Sequence, residues 1–450
     1  MGVGLNLTGK LANPAKLEPW FNDVWEWMSQ ELPGMATGAA LGQGPFDEFP
    51  RVMLRFHPAA DPVKIWFPED GLISVSADTV SAGPGYHLFL CDLLWKLAGR
   101  FQIGWDPETD DGHSNPTFFS GDPEQTYYEM FSWLGSMASS ASLMGAGTAY
   151  LSMSPSYQYF ADAPLITPLG PRSKEWIAEV SKNPGAGADV FPWLNAGISA
   201  EYFLNKALVH MWCDVRWCPP MADGDQNLME AVSGLLSAAY KLDPNLNYPW
   251  REWAEMIAFL NRDDPMREFV FDKARSIPDS NLLGYRRREV RVHMDQGWSC
   301  LVPGNFSETA QYDPQSHNHT WQFAGDDLMI WFTTYPTYGD NNGNVMPVSD
   351  AVLELDELQS NMGELVEEAT SGPIWRRIFM TPGDPEKKRA YRFSAIFLVP
   401  GRLALSHIFS ERADDIHLAR EFFNTIENTA GSAARYVEQP RYPRVDLVSI

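Results

Sequence analysis

The chain predicts an α+β protein, and three observations predict it. Near the start, apolar residues recur at helical spacing and give way to short strand-like runs separated by turn chemistry. The middle is dominated by helical periodicity, and after residue 283 the rhythm changes to consecutive strands. At 450 residues the chain is longer than one ordinary domain. It divides into an N-terminal α+β region at 1–150, a mainly helical region at 151–283 packed on it, an antiparallel-sheet α+β domain at 284–430, and a tail at 431–450.

Each element has its own reason. Leu17, Trp20, Phe21, Val24, Trp25 and Met28 make one apolar stripe, which predicts a helix over Leu17–Glu31. Arg51–His57, Val63–Phe67 and Leu72–Ala77 read as strands, joined by turns rich in proline, aspartate and glycine. A helix follows Gly83-Pro84-Gly85 and runs to Leu97; the next starts at an Asp122 N-cap, with Pro123 at its first position and Gln125 placed for a capping box. Residues 154–194 show no steady period. Helices are predicted at Ala196–Met211, Gly224–Tyr240 and Pro249–Leu260, the last packing Trp250, Trp253, Ile257 and Leu260 onto the N-terminal region. A boundary is expected near Ile277–Leu283. Beyond it come strands at Tyr285–Met294, Trp298–Val302, Thr320–Phe323 and Leu328–Thr333, then a helix over Ser349–Ala369. Strands at Ile374–Met380, Arg389–Leu398 and Arg402–Ser410 and a helix over Ala413–Asn428 complete the pattern.

That final order of elements, with the phrase Gly297-Trp298-Ser-Cys-Leu-Val-Pro303, resembles the PsbP/Mog1-like fold, a group that includes chaperones of type VI secretion effectors. The resemblance covers residues 285–430 and implies a non-catalytic binding module; it transfers no individual functional residue.

The formal charge is -24, and it is spread along the chain. Residues 1–150 carry 18 acids against 7 bases, 151–283 carry 17 against 11, and 284–450 carry 23 against 16. Such a field opposes DNA, RNA and anionic membranes, so no nucleic-acid or membrane partner is expected, and a basic protein partner is favoured. No run approaches the ~18 apolar residues of a membrane span, and the start lacks a basic segment followed by an apolar one. Four scattered cysteines, Cys91, Cys213, Cys218 and Cys300, fit a reduced cytoplasm.

Motifs with chemical meaning are few. His317 and His319 alternate on a strand and so can meet one metal ion, but no third ligand lies nearby in the sequence. Cys213 and Cys218 have four residues between them, which suits neither a zinc pair nor a redox pair. Pro84-Gly85-Tyr86-His87 reads as a tight turn before a helix, without the glycine spacing of a nucleotide loop. No Gly-x-Ser-x-Gly elbow is present, and 58 acids single out no general acid and base. Asp106, Glu108, Asp110, Asp111 and His113 gather in one acidic loop, outside the EF-hand order. With Trp321 as an aromatic anchor, they are the candidate partner-binding residues.

The expectation is a non-catalytic cytoplasmic protein-binding protein without a cofactor. Its acidity and the resemblance point to an immunity protein, or an adaptor or chaperone, for a bacterial toxin or secreted effector. The alternatives are a metal-assisted hydrolase using His317 and His319, and a structural component that self-assembles.

Overall fold

Residues 4–11 alternate apolar and polar, and that alternation builds a strand paired on both sides in the first sheet. The structure, a computed structural model, describes residues 4–12, 17–32, 38–42, 51–67, 71–107, 116–143, 148–154, 156–278, 282–313, 315–316, 318–326, 328–335, 348, 355, 362–381 and 391–429. In chain order the first elements are β1 (Gly4–Leu11), α1 (Leu17–Glu31), β2 (Gly38–Gly42), β3 (Arg51–Arg55), β4 (Val63–Trp66), β5 (Leu72–Asp78), α2 (Pro84–Phe101) and β6 (Ile103–Trp105). The six strands form one antiparallel sheet in the order β2-β3-β4-β5-β1-β6. Leu5, Leu7 and Leu11 point into the core while Asn6 and Lys10 face solvent. The predicted stripe of α1 buries Trp20, Val24 and Met28, each stabilising by about 1.5–3 kcal/mol. The strand β1 was absent from the sequence expectation, although its period of two was visible.

The next elements are α3 (Pro116–Ser120), α4 (Pro123–Leu143), β7 (Ala149–Tyr150), β8 (Tyr157–Gln158), β9 (Leu165–Thr167), β10 (Gly170–Arg172) and α5 (Lys174–Val180), followed by a 3₁₀ turn over Pro184–Val190. Asp122 caps α4 as expected, its Oδ1 accepting from Glu124 N at 2.9 Å. Gln125 does not close a capping box; its amide donates to Glu129 instead. Within the stretch without a steady period, β9 and β10 join β7, just before it, in a small sheet in which β7 and β9 run parallel.

Four helices follow: α6 (Ala200–Cys213), α7 (Asp223–Leu242), α8 (Trp250–Leu260) and α9 (Arg267–Arg275). The stripe on α8 does not pack onto the N-terminal sheet as expected. Trp253 is fully buried and donates its indole N–H to Ser233 Oγ of α7 at 2.9 Å, and Trp250 meets Tyr240 of α7 and Phe269 of α9. The neighbouring helices supply a core of their own, so the stripe is satisfied locally.

The C-terminal third holds β11 (Glu289–His293), β12 (Trp298–Pro303), β13 (Ser307–Asp313), β14 (Asn318–Ala324), β15 (Met329–Tyr335), β16 (Glu364–Ser371), β17 (Ile374–Thr381), β18 (Tyr391–Val399), β19 (Arg402–Ser410), α10 (Ile416–Asn424) and β20 (Glu427–Asn428). A seven-stranded antiparallel sheet runs β13-β14-β15-β19-β18-β17-β16, and a smaller one runs β20-β12-β11-β8. Trp298, Phe332, Phe393, Phe397 and Phe423 meet in the core between them and α10. The helix expected over Ser349–Ala369 is corrected at its end, because 364–369 belong to β16; the part over 349–361 lies outside the described residues apart from the buried Leu355. The helix expected over Ala413–Asn428 is shorter, with a 3₁₀ turn before it and β20 after it.

The expected boundary near 277–283 is crossed by direct bonds. Tyr157 of β8 pairs with Val292 of β11, and Tyr285 Oη donates to Thr167 O at 2.9 Å. Arg286, 3% exposed, donates from Nε to Cys213 O at 2.9 Å. Mixed helices and antiparallel sheets make the whole an α+β fold, as predicted.

Candidate functional site

The most distinctive surface is organised by the first turn of α2. Gly83 has φ of 111°, a left-handed value that glycine adopts without strain. Trp193 N donates to Ala82 O at 2.8 Å, and Gly85 N donates back to Trp193 O at 2.9 Å. A Cβ on Gly85 would collide with the Asn195 carbonyl, so glycine lets the two backbones approach this closely. The amides of Gly83, Gly85, Tyr86 and His87 all donate to backbone carbonyls, so the turn is a structural joint.

One turn further on, His87 is 1% exposed and bridges two threonines: Nδ1 lies 2.9 Å from Thr79 Oγ1 and Nε2 lies 3.0 Å from Thr117 Oγ1. That second bond ties α3 to α2. Phe118, the next residue, then lies flat beneath Trp95 of α2, with ring centroids 4.9 Å apart and planes at 6°. The Trp95 indole donates to Phe118 O at 3.2 Å, and Phe119 meets the same ring edge-on. Trp95 is 47% exposed, so a fixed aromatic plate faces outward.

The sequence on either side of it is acidic. Between positions 92 and 124 the chain carries seven acids and two bases. The exposed face of α2 also holds Asp92 and Lys96, paired at 2.7 Å, and Arg100. Asp106 follows β6 and is exposed, its backbone N–H donating to Thr8 O at 2.9 Å. Glu108, Asp110, Asp111 and His113 lie outside the described residues. Those positions fall between β6, which ends at Trp105, and α3, whose Phe118 packs beneath Trp95.

Other predicted residues fall elsewhere. Trp321 is corrected: it is 1% exposed in the core of the seven-stranded sheet, because its position on β14 points inward beside Phe323, and it offers no surface to a partner. His319, on the same strand, pairs through Nδ1 with the Asp295 carboxylate and meets Tyr312 edge-on at 4.6 Å. His317 lies outside the described residues, and among the described residues no three metal-ligating side chains gather. None of the four cysteines is in a disulfide, and Cys91 and Cys300 are buried.

Sequence reasoning missed a buried polar cluster where the segment after β3, the first turn of α2 and α6 meet. His57 has no exposure, accepts from Ala59 N at 3.2 Å through Nδ1, and is ringed by Tyr86, Trp193 and Tyr202 at 6.1–6.5 Å. Lys206 donates to Tyr202 Oη at 3.2 Å and is 5% exposed. Burial pushes Lys206 down to about 8 and, with the Lys206 and His210 charges, holds His57 well below its ordinary value. Nothing in the sequence flags Lys206, since it sits alone in an apolar helix stripe and its neighbours come from distant segments.

Comparison with family models, with curated proteins and with solved structures returned no match.

Two stability predictions follow from the buried groups. Below pH 8 the fold holds a desolvated ammonium at Lys206, at a cost that fades as pH rises from 8 towards 10.5. Lys206→Met is expected to raise the free energy of unfolding at pH 7 by about 1–3 kcal/mol, and by less at pH 10, in guanidinium titrations. His87 and His407 are both pushed down to about 4, chiefly by burial. Their contribution is complete above the unfolded value of 6.5 and is lost as pH falls from 6.5 to 4, up to about 3 kcal/mol each. Asp78, raised by burial, acts in the opposite sense. Stability curves at pH 7, 5.5 and 4.5 should fall steeply for the native chain and less steeply for His407→Gln.

Proposed function

We propose that this protein is a non-catalytic, cytoplasmic protein-binding protein that docks a basic partner on the Trp95 surface. The observation that carries the reading is Trp95 itself: a large aromatic ring, 47% exposed yet fixed by stacking on Phe118, in a stretch of sequence rich in acids. Interface hot spots are enriched in tryptophan, and a pre-fixed ring loses little freedom on binding. The acidity of the chain steers a basic partner and speeds encounter. A second copy of the chain, also at -24, is repelled by the same field.

Within that class, the reading is an immunity protein or an adaptor for a bacterial toxin or secreted effector. The resemblance of residues 285–430 to the PsbP/Mog1-like fold, a group that includes effector chaperones, supports it, as does the acidity of every part of the chain. No helix among the described residues is long and apolar enough to cross a membrane, which agrees with a partner met away from the bilayer.

The test is co-purification from the producing cells with native chain and with Trp95→Ala. A basic protein should accompany the native chain, and Trp95→Ala, still cooperatively folded at the assay temperature though melting somewhat lower, should weaken its affinity by about 10–30-fold. An equal yield of partner with both proteins, or a partner that is itself acidic, contradicts the reading.

A further inference from the structure

An open sheet ends in two edge strands, and a bare edge pairs with any extended chain it meets unless something blunts it. Most edges of this protein are blunted. The edge strands β6, β7, β8, β10 and β20 are two or three residues long, and β2 has five with a glycine at each end. At one end of the seven-stranded sheet, β16 carries a bulge between Leu365 and Glu367 and three glutamates. The other end is β13, which has none of these devices. It is seven residues long, pairs with β14 in unbroken register, and contains no proline, glycine or lysine. Thr309, Ala310, Gln311, Tyr312 and Asp313 are exposed in succession, so both faces of the strand are open there.

The phase of β14 decides which groups of β13 look outward. Gly325 N donates to Leu328 O at 2.9 Å in continuation of the β14–β15 register, so Trp321 and Phe323 bond to β15. Thr320, Gln322 and Ala324 therefore bond to β13, at Gln311, Thr309 and Ser307. The backbone N–H and C=O of Glu308 and Ala310 point the other way, and among the described residues no backbone bond reaches them. Donors and acceptors at this two-residue spacing are matched by another extended backbone. The charge of the edge selects its occupant. The strand holds two acids, Glu308 and Asp313, and no base, and the four residues between them are uncharged. Tyr157 Oη donates to Glu308 Oε2 at 3.1 Å, which fixes that carboxylate without neutralising it. A second copy of β13 would bring only further acids. We infer that β13 is a docking edge for an extended segment of another protein, uncharged at its centre and carrying lysine or arginine at its ends. The edge uses no residue of the Trp95 surface, so either reading can fail without the other.

The probe is a seven-residue peptide of alternating valine and threonine with a lysine at each end, its termini blocked, labelled with fluorescein and titrated with the full chain by anisotropy. It should bind with a dissociation constant on the order of 10–100 µM, and the same peptide with glutamate at each end at least ~10-fold more weakly. Methylating alternate backbone nitrogens of the lysine peptide removes the donors of one edge and should also cost at least ~10-fold. Proline is tolerated in an edge strand where its nitrogen faces solvent, so Ala310→Pro removes an outward donor while the pairing with β14 persists, and it should weaken the peptide at least ~10-fold. Absence of saturable binding by the lysine peptide overturns the inference. So does equal affinity for the glutamate peptide, for the peptide methylated on either edge, or for Ala310→Pro; the two peptide comparisons decide the matter even where that variant does not fold.

Discussion

Much of the N-terminal half depends on one close approach of backbone to backbone. The reciprocal bonds between Ala82, Gly85 and Trp193 fix where α2 begins and at what angle it leaves the sheet. Glycine at 85 permits that approach, and the left-handed Gly83 turns the chain into it. From that joint the consequences run outward along the helix. His87 lands between Thr79 and Thr117, α3 is tied down, Phe118 lies flat, and Trp95 is held as an exposed plate. A surface feature is thus positioned by a buried polar bridge, and that bridge by a backbone contact between segments about a hundred residues apart.

The burial of His87 gives the arrangement its precision and its weakness. A neutral imidazole with both nitrogens engaged fixes two helices at once, where an apolar side chain would only fill space. The same burial disfavours the charged form. Lys206 is the opposite case: a charge buried beside Tyr202 and His57, at a cost the fold bears elsewhere.

Local periodicity made much of this legible in the sequence. The stripe of α1, the edges of β19 and the Asp122 cap all depend on neighbours a few residues away, and the sequence places them correctly. What failed depends on distant partners. The short strands β8 and β20 exist only because β11 and β12 offer edges to pair with. The α8 stripe looks the same whether it packs on α7 or on the sheet, so its neighbour was misassigned. Trp321 shows the limit for sites: a tryptophan alternating with Phe323 on a strand signals burial, and that signal outweighs its chemistry. The acidic loop was visible as composition; its aromatic companion Trp95 was not, because its exposure depends on how α3 folds back.

Trp95 is therefore the proposed point of contact with a basic protein. The most direct measurement places a photo-reactive residue there, as Trp95→p-benzoylphenylalanine, and irradiates extracts of the producing cells at about 50 mM and about 500 mM salt, since screening shortens the reach of surface charge. The account predicts one crosslinked protein, basic in composition, captured at low salt and greatly reduced at high salt. Crosslinking only to a second copy of this chain, crosslinking insensitive to salt, or no crosslink from position 95 would contradict it.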